Sequence, residues 1–342
     1  MFKILLLCVI ATLISGCMPT EKQVTPSKNF DPVTIDNLPS VEFINQAERL
    51  LKMSGGLNKF YKFRFPTPID NQPVIRMNRD TLYMVGVFDI SKGLSVEVPD
   101  MDQRYISVMP VNEQGYTPVV YTGMGTHYFG PESVGSNYAA IIIRILVNAA
   151  DPADVKEVNQ LQDEIKVTAN SAIPFKTATY NQDDYQRLYA EMINKGRSFT
   201  SFKKSFGSKQ DVDYDKFRIA SIIGWGGLPD NQAFYVNVEP KLPVGEYKID
   251  VQDVPVKAFW SVSLYNDKGY FQPNELDMYS VNSITATENA NSSYTIHFGG
   301  CEDHRINCLP IMDGWNYVIR LYEPEANILN GSWTFPEVVE LK

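Results

Sequence analysis

Short runs of apolar residues, many of them alternating with polar ones, dominate two regions of the chain and predict β-strands. In the second region, for example, Ile296 and Phe298 flank the polar His297. The predicted strands of the first region are 74–77, 81–90, 94–98, 104–109 and 138–147, and those of the second are 234–238, 246–251, 256–265, 278–285, 293–298 and 316–322. Many short strands separated by turn residues are typical of an antiparallel sandwich or jelly roll, so we expect a mainly β protein.

Helical spacing of apolar residues occurs before the first β-rich region and between the two. Helices are predicted over 41–53, from Pro152 onward, and over 183–195, where Gly196 follows. The predicted body consists of a first β domain over 40–150, a helical connecting segment over 151–230 and a second β domain over 231–342.

The first residues have the pattern of a bacterial lipoprotein signal. Lys3 precedes an apolar run over 4–14, which is too short to span a bilayer. Ile14-Ser15-Gly16-Cys17 then resembles a lipobox. We therefore expect removal of a signal peptide over 1–16 and lipidation of Cys17, for example with palmitate. An ordinary secretory signal and a buried first strand are the alternatives.

The polar, proline-containing segment over 17–39 is predicted to be a tether between the lipid and the body. Because Met18 and not Asp follows the cysteine, the resemblance to Gram-negative lipoproteins favours the outer membrane. The predicted location is thus the cell envelope, with the membrane contacted through the N-terminal lipid.

The chain has four cysteines, of which Cys8 belongs to the signal and Cys17 to the lipid site. Cys301 and Cys308 remain as a pair within a short loop, and an oxidising compartment favours a disulfide between them. A metal site with His304 is the competing interpretation, but two thiols and one imidazole do not complete a closed zinc site. We therefore predict the disulfide.

Charge and motif content exclude several classes of protein. The 342 residues include 31 Lys and Arg against 40 Asp and Glu, a net charge of −9, which argues against nucleic-acid binding. No Gly-x-Ser-x-Gly elbow is present, and the glycines before His127 do not match a phosphate-binding loop. The three histidines lack a recognised ligand spacing, so we expect neither a metal nor a cofactor.

Several short phrases together resemble the bacterial family of two consecutive domains of unknown function, DUF1254 followed by DUF1214. The phrases are 78–83 (NRDTLY), 104–105 (RY), 161–163 (LQD), 224–229 (GWGGLP), 258–261 (AFWS), 279–282 (YSVN), 314–317 (GWNY) and 320–322 (RLY). The resemblance runs from about residue 40 to the C-terminus. It implies two jelly-roll-like antiparallel β-sandwiches joined by a helical connecting segment, and it implies no agreed reaction.

Two groups of residues in these phrases are candidates for ligand binding. Asn78, Arg79 and Asp80 combine a guanidinium with a carboxylate, which suits a carboxylated or hydroxylated ligand. The same three residues could instead hold a corner between strands through buried hydrogen bonds, which we favour. Trp225, among glycines, could be an exposed stacking platform or could be wedged between the sandwiches.

A third candidate group lies on predicted strands of the second domain. Trp260, Asn282, His297 and Arg320 would line a pocket if they shared an inner face. The simpler interpretation, which we favour, places Trp260 in the core and leaves His297 and Arg320 facing solvent.

Two functional hypotheses follow from different classes. The first is a surface-tethered module that binds a glycan or other small molecule, or that acts as a scaffold and could self-associate. The second is a hydrolase or lyase acting on envelope or imported glycans or esters, with a pair of carboxylates across a cleft. The candidate carboxylates are Glu113, Glu132, Asp277 and Glu288. We favour the first hypothesis because no catalytic motif is evident.

Overall fold

The computed structural model describes residues 31–72, 75–199 and 201–341. The predicted signal peptide, Cys17 and the beginning of the predicted tether lie outside the described residues. Within the described ranges, no helix combines the length and apolarity needed to cross a membrane.

The first half of the chain forms one sandwich. Its elements are α1 Leu38–Ser54, β1 Tyr61–Lys62, β2 Thr81–Asp89, β3 Leu94–Val98, β4 Ile106–Asn112, β5 Tyr121–Thr122, β6 Gly125–Phe129, α2 Pro131–Val134 and β7 Tyr138–Leu146. They are followed by α3 Pro152–Glu164, β8 Lys166–Ala169, α4 Gln182–Gly196 and α5 Tyr214–Ile223. A five-stranded sheet, ordered β1-β2-β7-β4-β5, and a three-stranded sheet, ordered β6-β3-β8, enclose a core that includes Met84, Val96 and Ile143.

The second half forms another sandwich. Its elements are β9 Ala233–Val238, β10 Tyr247–Val251, β11 Trp260–Tyr265, β12 Ser280–Asn282, β13 Tyr294–Phe298, a 3₁₀ turn Cys301–Asp303, β14 Cys308–Leu309, β15 Asn316–Tyr322, α6 Ala326–Asn330 and β16 Val339–Glu340. Two four-stranded sheets, ordered β12-β11-β15-β9 and β14-β13-β10-β16, enclose a core around Trp260, Ile296 and Ile319. The protein is thus mainly β, and the strands named here pair antiparallel except for β13 with β14.

The two sandwiches meet along the outer face of the five-stranded sheet and the outer face of the β12-β11-β15-β9 sheet. Apolar residues from both faces, including Ile142, Phe259 and Tyr322, share one buried cluster. Alternation along β11 puts Trp260 and Val262 in the core and turns Ser261 and Ser263 to this outer face, where both are fully buried. We call this contact the junction.

The helical part agrees with the sequence in outline and departs from it in detail. The helices predicted over 41–53 and 183–195 are α1 and α4, and Asp151 caps α3 by accepting a hydrogen bond from the backbone N–H of Ala153. The connecting segment also holds a third helix, α5, and the strand β8, which pairs with β3. Because β3 is part of the first sandwich, so is this part of the connecting segment. The sequence did not predict β8, because its four residues mix polar and apolar side chains and give no distinct apolar run.

Two further local predictions differ from the structure. Residues 75–77 are not a strand, whereas Gly125–Phe129, which includes His127 and was not predicted as a strand, forms β6 at a sheet edge. The last part of the predicted tether belongs to the folded body: the backbone of Asp31 bonds Thr179 and Asn181, and Val33 is buried beside α4.

Candidate functional site

The carboxylate of Asp80 lies at the centre of the junction and is surrounded by neutral donors of the second sandwich. Asp80 immediately precedes β2, and its Oδ2 accepts a hydrogen bond of 2.7 Å from the Ser261 hydroxyl. Its Oδ1 lies 3.4 Å from Nδ2 of Asn282 and 3.5 Å from the Ser280 hydroxyl. Hydrogen bonds to the charged form offset part of the cost of burying a carboxylate.

Asn78 fastens the same segment from its other side. Its Nδ2 donates to the Tyr322 hydroxyl at 2.8 Å, and its Oδ1 accepts from the backbone N–H of Asp80 at 2.8 Å. Four predicted residues, Asn78, Asp80, Asn282 and Arg320, therefore meet at the junction. Their polar groups bond protein partners, as in the corner-holding interpretation.

Arg320 lies on β15 and is only 4% exposed. Nη1 donates to the Ser263 hydroxyl at 2.8 Å, and Nη2 to the Tyr265 hydroxyl at 2.8 Å and to the carbonyl oxygen of Met77 at 3.2 Å. Burial by itself would lower the pKa of Arg320, but Tyr265, Tyr322 and the Asp80 carboxylate raise it above its usual value. The expectation that Arg320 faces solvent is wrong, because the first sandwich covers the polar face of its sheet.

Arg79 is half-buried at the rim of the junction. Nη1 donates to the carbonyl oxygen of Thr67, and the guanidinium carbon lies 5.1 Å from the centre of the Tyr279 ring. Burial lowers the pKa of Arg79, against the opposing influence of Asp277, Tyr279 and Asp80. No carboxylate of the described residues lies within ion-pair distance of its guanidinium.

The pocket proposed for Trp260, Asn282, His297 and Arg320 does not form, because these side chains occupy three different surfaces. Trp260 is in the core of the second sandwich, as the simpler interpretation expected. Asn282 and Arg320 lie at the junction, whereas His297 belongs to β13 in the opposite sheet, where its Nδ1 is 2.9 Å from the carbonyl oxygen of Ile306.

Trp225 combines features of its two interpretations. Its side chain is half-buried and packs against the apolar cluster of the junction, while its indole Nε1 is buried with no hydrogen-bond partner among the described residues. The adjoining glycines are needed for close packing. A Cβ on Gly227 would lie 2.3 Å from the Phe206 ring, and Gly226 has a φ of +80°.

The sequence reasoning missed a second buried arginine, Arg144. It stands in the apolar run of β7, whose alternation turns Arg144 to the outer face of the five-stranded sheet while Ile143 and Ile145 enter the core. Its side chain donates to the carbonyl oxygen of Gly226 and lies 5.4 Å from the centre of the Tyr83 ring. The sequence does contain an indication of this residue's importance, because an arginine in a strand predicted to be buried requires a hydrogen-bonding or charged partner.

Arg144 is surrounded by hydroxyl groups. Ser107 and Tyr83 are its direct cross-strand neighbours on β4 and β2, so their Cβ atoms point to the same face. Burial raises the pKa of Tyr105 well above its usual value, although the Ser107 hydroxyl and the charge of Arg144 act in the opposite direction. In the described residues no Asp or Glu forms an ion pair with Arg144, which is 7% exposed.

The pair Cys301 and Cys308 forms the predicted disulfide beside β14. Among the described residues, no group of three or more His, Cys, Asp or Glu side chains could hold a metal ion.

Comparison with protein families matches two segments of the chain. Residues 57–132 match the protein of unknown function DUF1254, and residues 241–326 match the protein of unknown function DUF1214. The chain is a tandem DUF1254–DUF1214 protein. This confirms the family suggested by the sequence phrases.

The two family segments contribute different sides of the junction. Asp80 lies in the DUF1254 segment, while Asn282 and Arg320 lie in the DUF1214 segment. Arg144 and Trp225 lie between the two matched segments. The junction is thus a product of the tandem arrangement and of the chain that joins its parts.

Two solved structures share the fold of this tandem protein. The VPA0106 protein from Vibrio parahaemolyticus has 19% identity and a TM-score of 0.65, covering 90% of this chain and 98% of that one. A putative uncharacterized protein from Burkholderia cenocepacia has 15% identity and a TM-score of 0.51, covering 89% and 88%. No curated protein matches the chain. At such identities the likeness shows the fold alone.

Proposed function

We propose that this tandem DUF1254–DUF1214 protein is a lipid-anchored module of the cell envelope that binds a ligand at the junction of its sandwiches. The lipobox at Cys17 supports the anchor. The disulfide between Cys301 and Cys308 fits an oxidising compartment such as the periplasm. By its resemblance to Gram-negative lipoproteins, the outer membrane is the proposed location.

One observation carries the binding part of the proposal: Arg144 is a buried cation near polar groups without protein partners. Hydrogen bonds satisfy nearly all buried polar groups in folded proteins, and exceptions often mark functional sites. Trp225 contributes an indole N–H that is buried without a hydrogen-bond partner among the described residues, on a side chain that is half-buried. This arrangement favours binding over a purely structural scaffold, because a scaffold has no need of unpaired donors.

The anchor is tested by feeding cells an alkyne analogue of palmitate while they express the full chain. We expect wild-type protein to be labelled and to fractionate with membranes. The Cys17→Ser variant should not be labelled and should not fractionate with membranes. Cys8→Ser is the matched control, since its cysteine lies within the predicted signal and should leave labelling intact. Labelling that persists in Cys17→Ser would contradict the anchor.

Ligand binding is tested by thermal shift on the full mature chain carrying Cys17→Ser. The library contains envelope glycans, peptidoglycan fragments, fatty acids and small esters. A ligand that binds only the native state raises Tm by mass action. Product formed in a hit mixture would instead favour the hydrolase or lyase. A flat screen would contradict small-molecule binding and would direct the search to protein partners by crosslinking in the envelope.

A further inference from the structure

We propose that the junction binds a small organic monocarboxylate, whose carboxylate group pairs with Arg144. This inference rests on the proposed function in placing the ligand at the junction, and it adds the chemical class of that ligand. It depends on the charge of Arg144, the unpaired donors around it and the access from one side.

Among the described residues, Arg144 has no carboxylate beside it to balance its positive charge. An arginine cannot lose its proton in a protein, so burying it without an anion is costly. The acceptors that Arg144 has are the carbonyl oxygen of Gly226 and, at 3.9 Å, the sulfur of Met109. A guanidinium carries five N–H groups, so most of its donors remain for a ligand.

Neutral hydrogen-bond donors surround Arg144 on the outer face of the five-stranded sheet. Four buried atoms lack a hydrogen bond of good geometry among the described residues: the hydroxyls of Thr81, Tyr105 and Ser107, of which the last two lie next to each other, and the indole Nε1 of Trp225. Ser107 is the direct neighbour of Arg144 across the strands, and Tyr105 precedes it by two residues on the same face. Trp225 is adjacent to Gly226, which Arg144 contacts.

Together, these groups match an anion. A planar guanidinium fork pairs with the two oxygens of a carboxylate, and neutral O–H and N–H donors can complete its shell. A single positive charge balances a monocarboxylate, whereas phosphate carries more negative charge at neutral pH. The neighbouring Ile142 and Trp225 belong to the apolar cluster of the junction, which suits an organic substituent.

A ligand must be able to reach Arg144 from solvent. Arg144, Ser107 and Tyr105 are at least nine-tenths buried, but Tyr83, Trp225 and Tyr235 on the same side of the junction are half-buried. This is therefore the less covered side of the junction and the side from which a ligand would enter. A ligand entering beside Trp225 would change the surroundings of its indole, which gives the experiment an optical signal.

The experiment titrates acetate, propionate and butyrate into the full mature chain carrying Cys17→Ser, with chloride and inorganic phosphate as separate arms at constant ionic strength. Tryptophan fluorescence and Tm are the readouts. We expect saturable fluorescence changes and a rise in Tm with the carboxylates. Arg144→Met should weaken their binding roughly tenfold or more, since it removes a charge-assisted pair.

Arg305→Met is the control, because it makes the same replacement at a surface arginine outside the junction and should leave binding unchanged. If Arg144→Met does not fold, Arg144→Lys keeps the charge and is expected to weaken binding by losing the bidentate pair. Equal carboxylate affinities in the wild type and Arg144→Lys, or in Arg144→Met and Arg305→Met, would overturn the inference. Binding of chloride or phosphate without binding of any carboxylate would also overturn it.

This outcome can be distinguished from failure of the proposed function. If the carboxylates do not bind but a compound of the envelope library raises Tm in both arginine variants, the ligand class assigned to Arg144 is wrong and the binding module stands. If neither set of compounds binds, the binding part of the proposed function fails together with the inference.

Discussion

Two buried arginines at the same junction differ in how their charges are compensated. Arg320 donates to hydroxyl and carbonyl oxygens on both sides of the junction and lies near the Asp80 carboxylate. Arg144 has a peptide oxygen, a distant sulfur and unpaired hydroxyls around it. Burial alone therefore does not define the role of a charged side chain. The first arginine has the environment of a structural contact, and the second has that of the binding group that we propose.

The largest expected effect comes from removing the compensated arginine. Arg320→Met leaves the hydroxyl and carbonyl acceptors of Arg320 without their donor and removes a positive charge near Asp80, so it should lower the free energy of unfolding by about 3–5 kcal/mol. Denaturant unfolding measures it, and adding Asp80→Asn should recover part of the loss. Arg305→Met, which removes surface ion pairs with Glu246 and Asp303, is the control and should cost much less, because exposed pairs contribute little to stability. Similar losses of stability in Arg320→Met and Arg305→Met would show that the buried position of Arg320 does not make it more important for stability than a surface arginine.

A smaller effect is expected at the disulfide, which belongs to the second sandwich but not to the junction. Cys301→Ser with Cys308→Ser should lower the free energy of unfolding by about 2.5 kcal/mol, from the closure of a short loop. Reduced wild type should behave alike. If the comparison is right, the response to carboxylates through Arg144 is retained in this variant, and its loss would show that the junction depends on the distant crosslink.

The uncompensated arginine should matter less for stability than Arg320. In the absence of ligand, Arg144→Met loses the bond to Gly226 but also removes a buried, unpaired charge, so the two effects offset each other. We expect a change below about 2 kcal/mol in denaturant unfolding. A loss equal to that of Arg320→Met would end the contrast between the two arginines.

The smallest effect concerns Glu42, a buried carboxyl of α1 that accepts from Gln46 at 2.7 Å and from the Tyr185 hydroxyl at 2.6 Å. Burial raises its pKa above the usual value, although both hydrogen bonds oppose this. Its contribution to stability is full below the unfolded pKa and is lost as pH rises through the raised folded pKa. Unlike Arg144, this group can discharge itself by titrating.

Thermal unfolding across that pH window, compared with Glu42→Gln, measures the contribution. We expect the wild type to lose stability relative to the variant as pH rises from about 4, near the ordinary pKa of a glutamate, and the two curves to run parallel above the window. Curves that stay parallel throughout would show that burial does not perturb this carboxyl.

The alternation of apolar and polar residues was sufficient to predict where the strands lie, but not which parts of the chain cover their faces. The alternation of β15 was predicted to its residue bounds, 316–322, yet the same alternation led us to expect Arg320 in solvent. A polar face indicates only that the face is not part of the core of its own sandwich. The tandem fold covers that face with the segment before β2, which alternation cannot express.

The candidate residues show the same division. Asn78, Asp80, Asn282 and Arg320 were selected from separate phrases, and their meeting depends on contacts such as that between Asp80 and Ser261, 181 positions apart. Arg144 was overlooked because the run around it predicted burial, and burial was taken as the whole explanation.

By itself, the sequence determined the mainly β class, the tandem family, most strand positions and the disulfide, because each depends on neighbours close along the chain or on a recognisable order of phrases. The tertiary structure alone decided that a polar sheet face is buried, that Arg320 bonds oxygens of both sandwiches near Asp80, and that Arg144 bonds a single peptide oxygen. These properties depend on which side chains from distant strands share one low-dielectric space, where the energy of a charge is set by its partners.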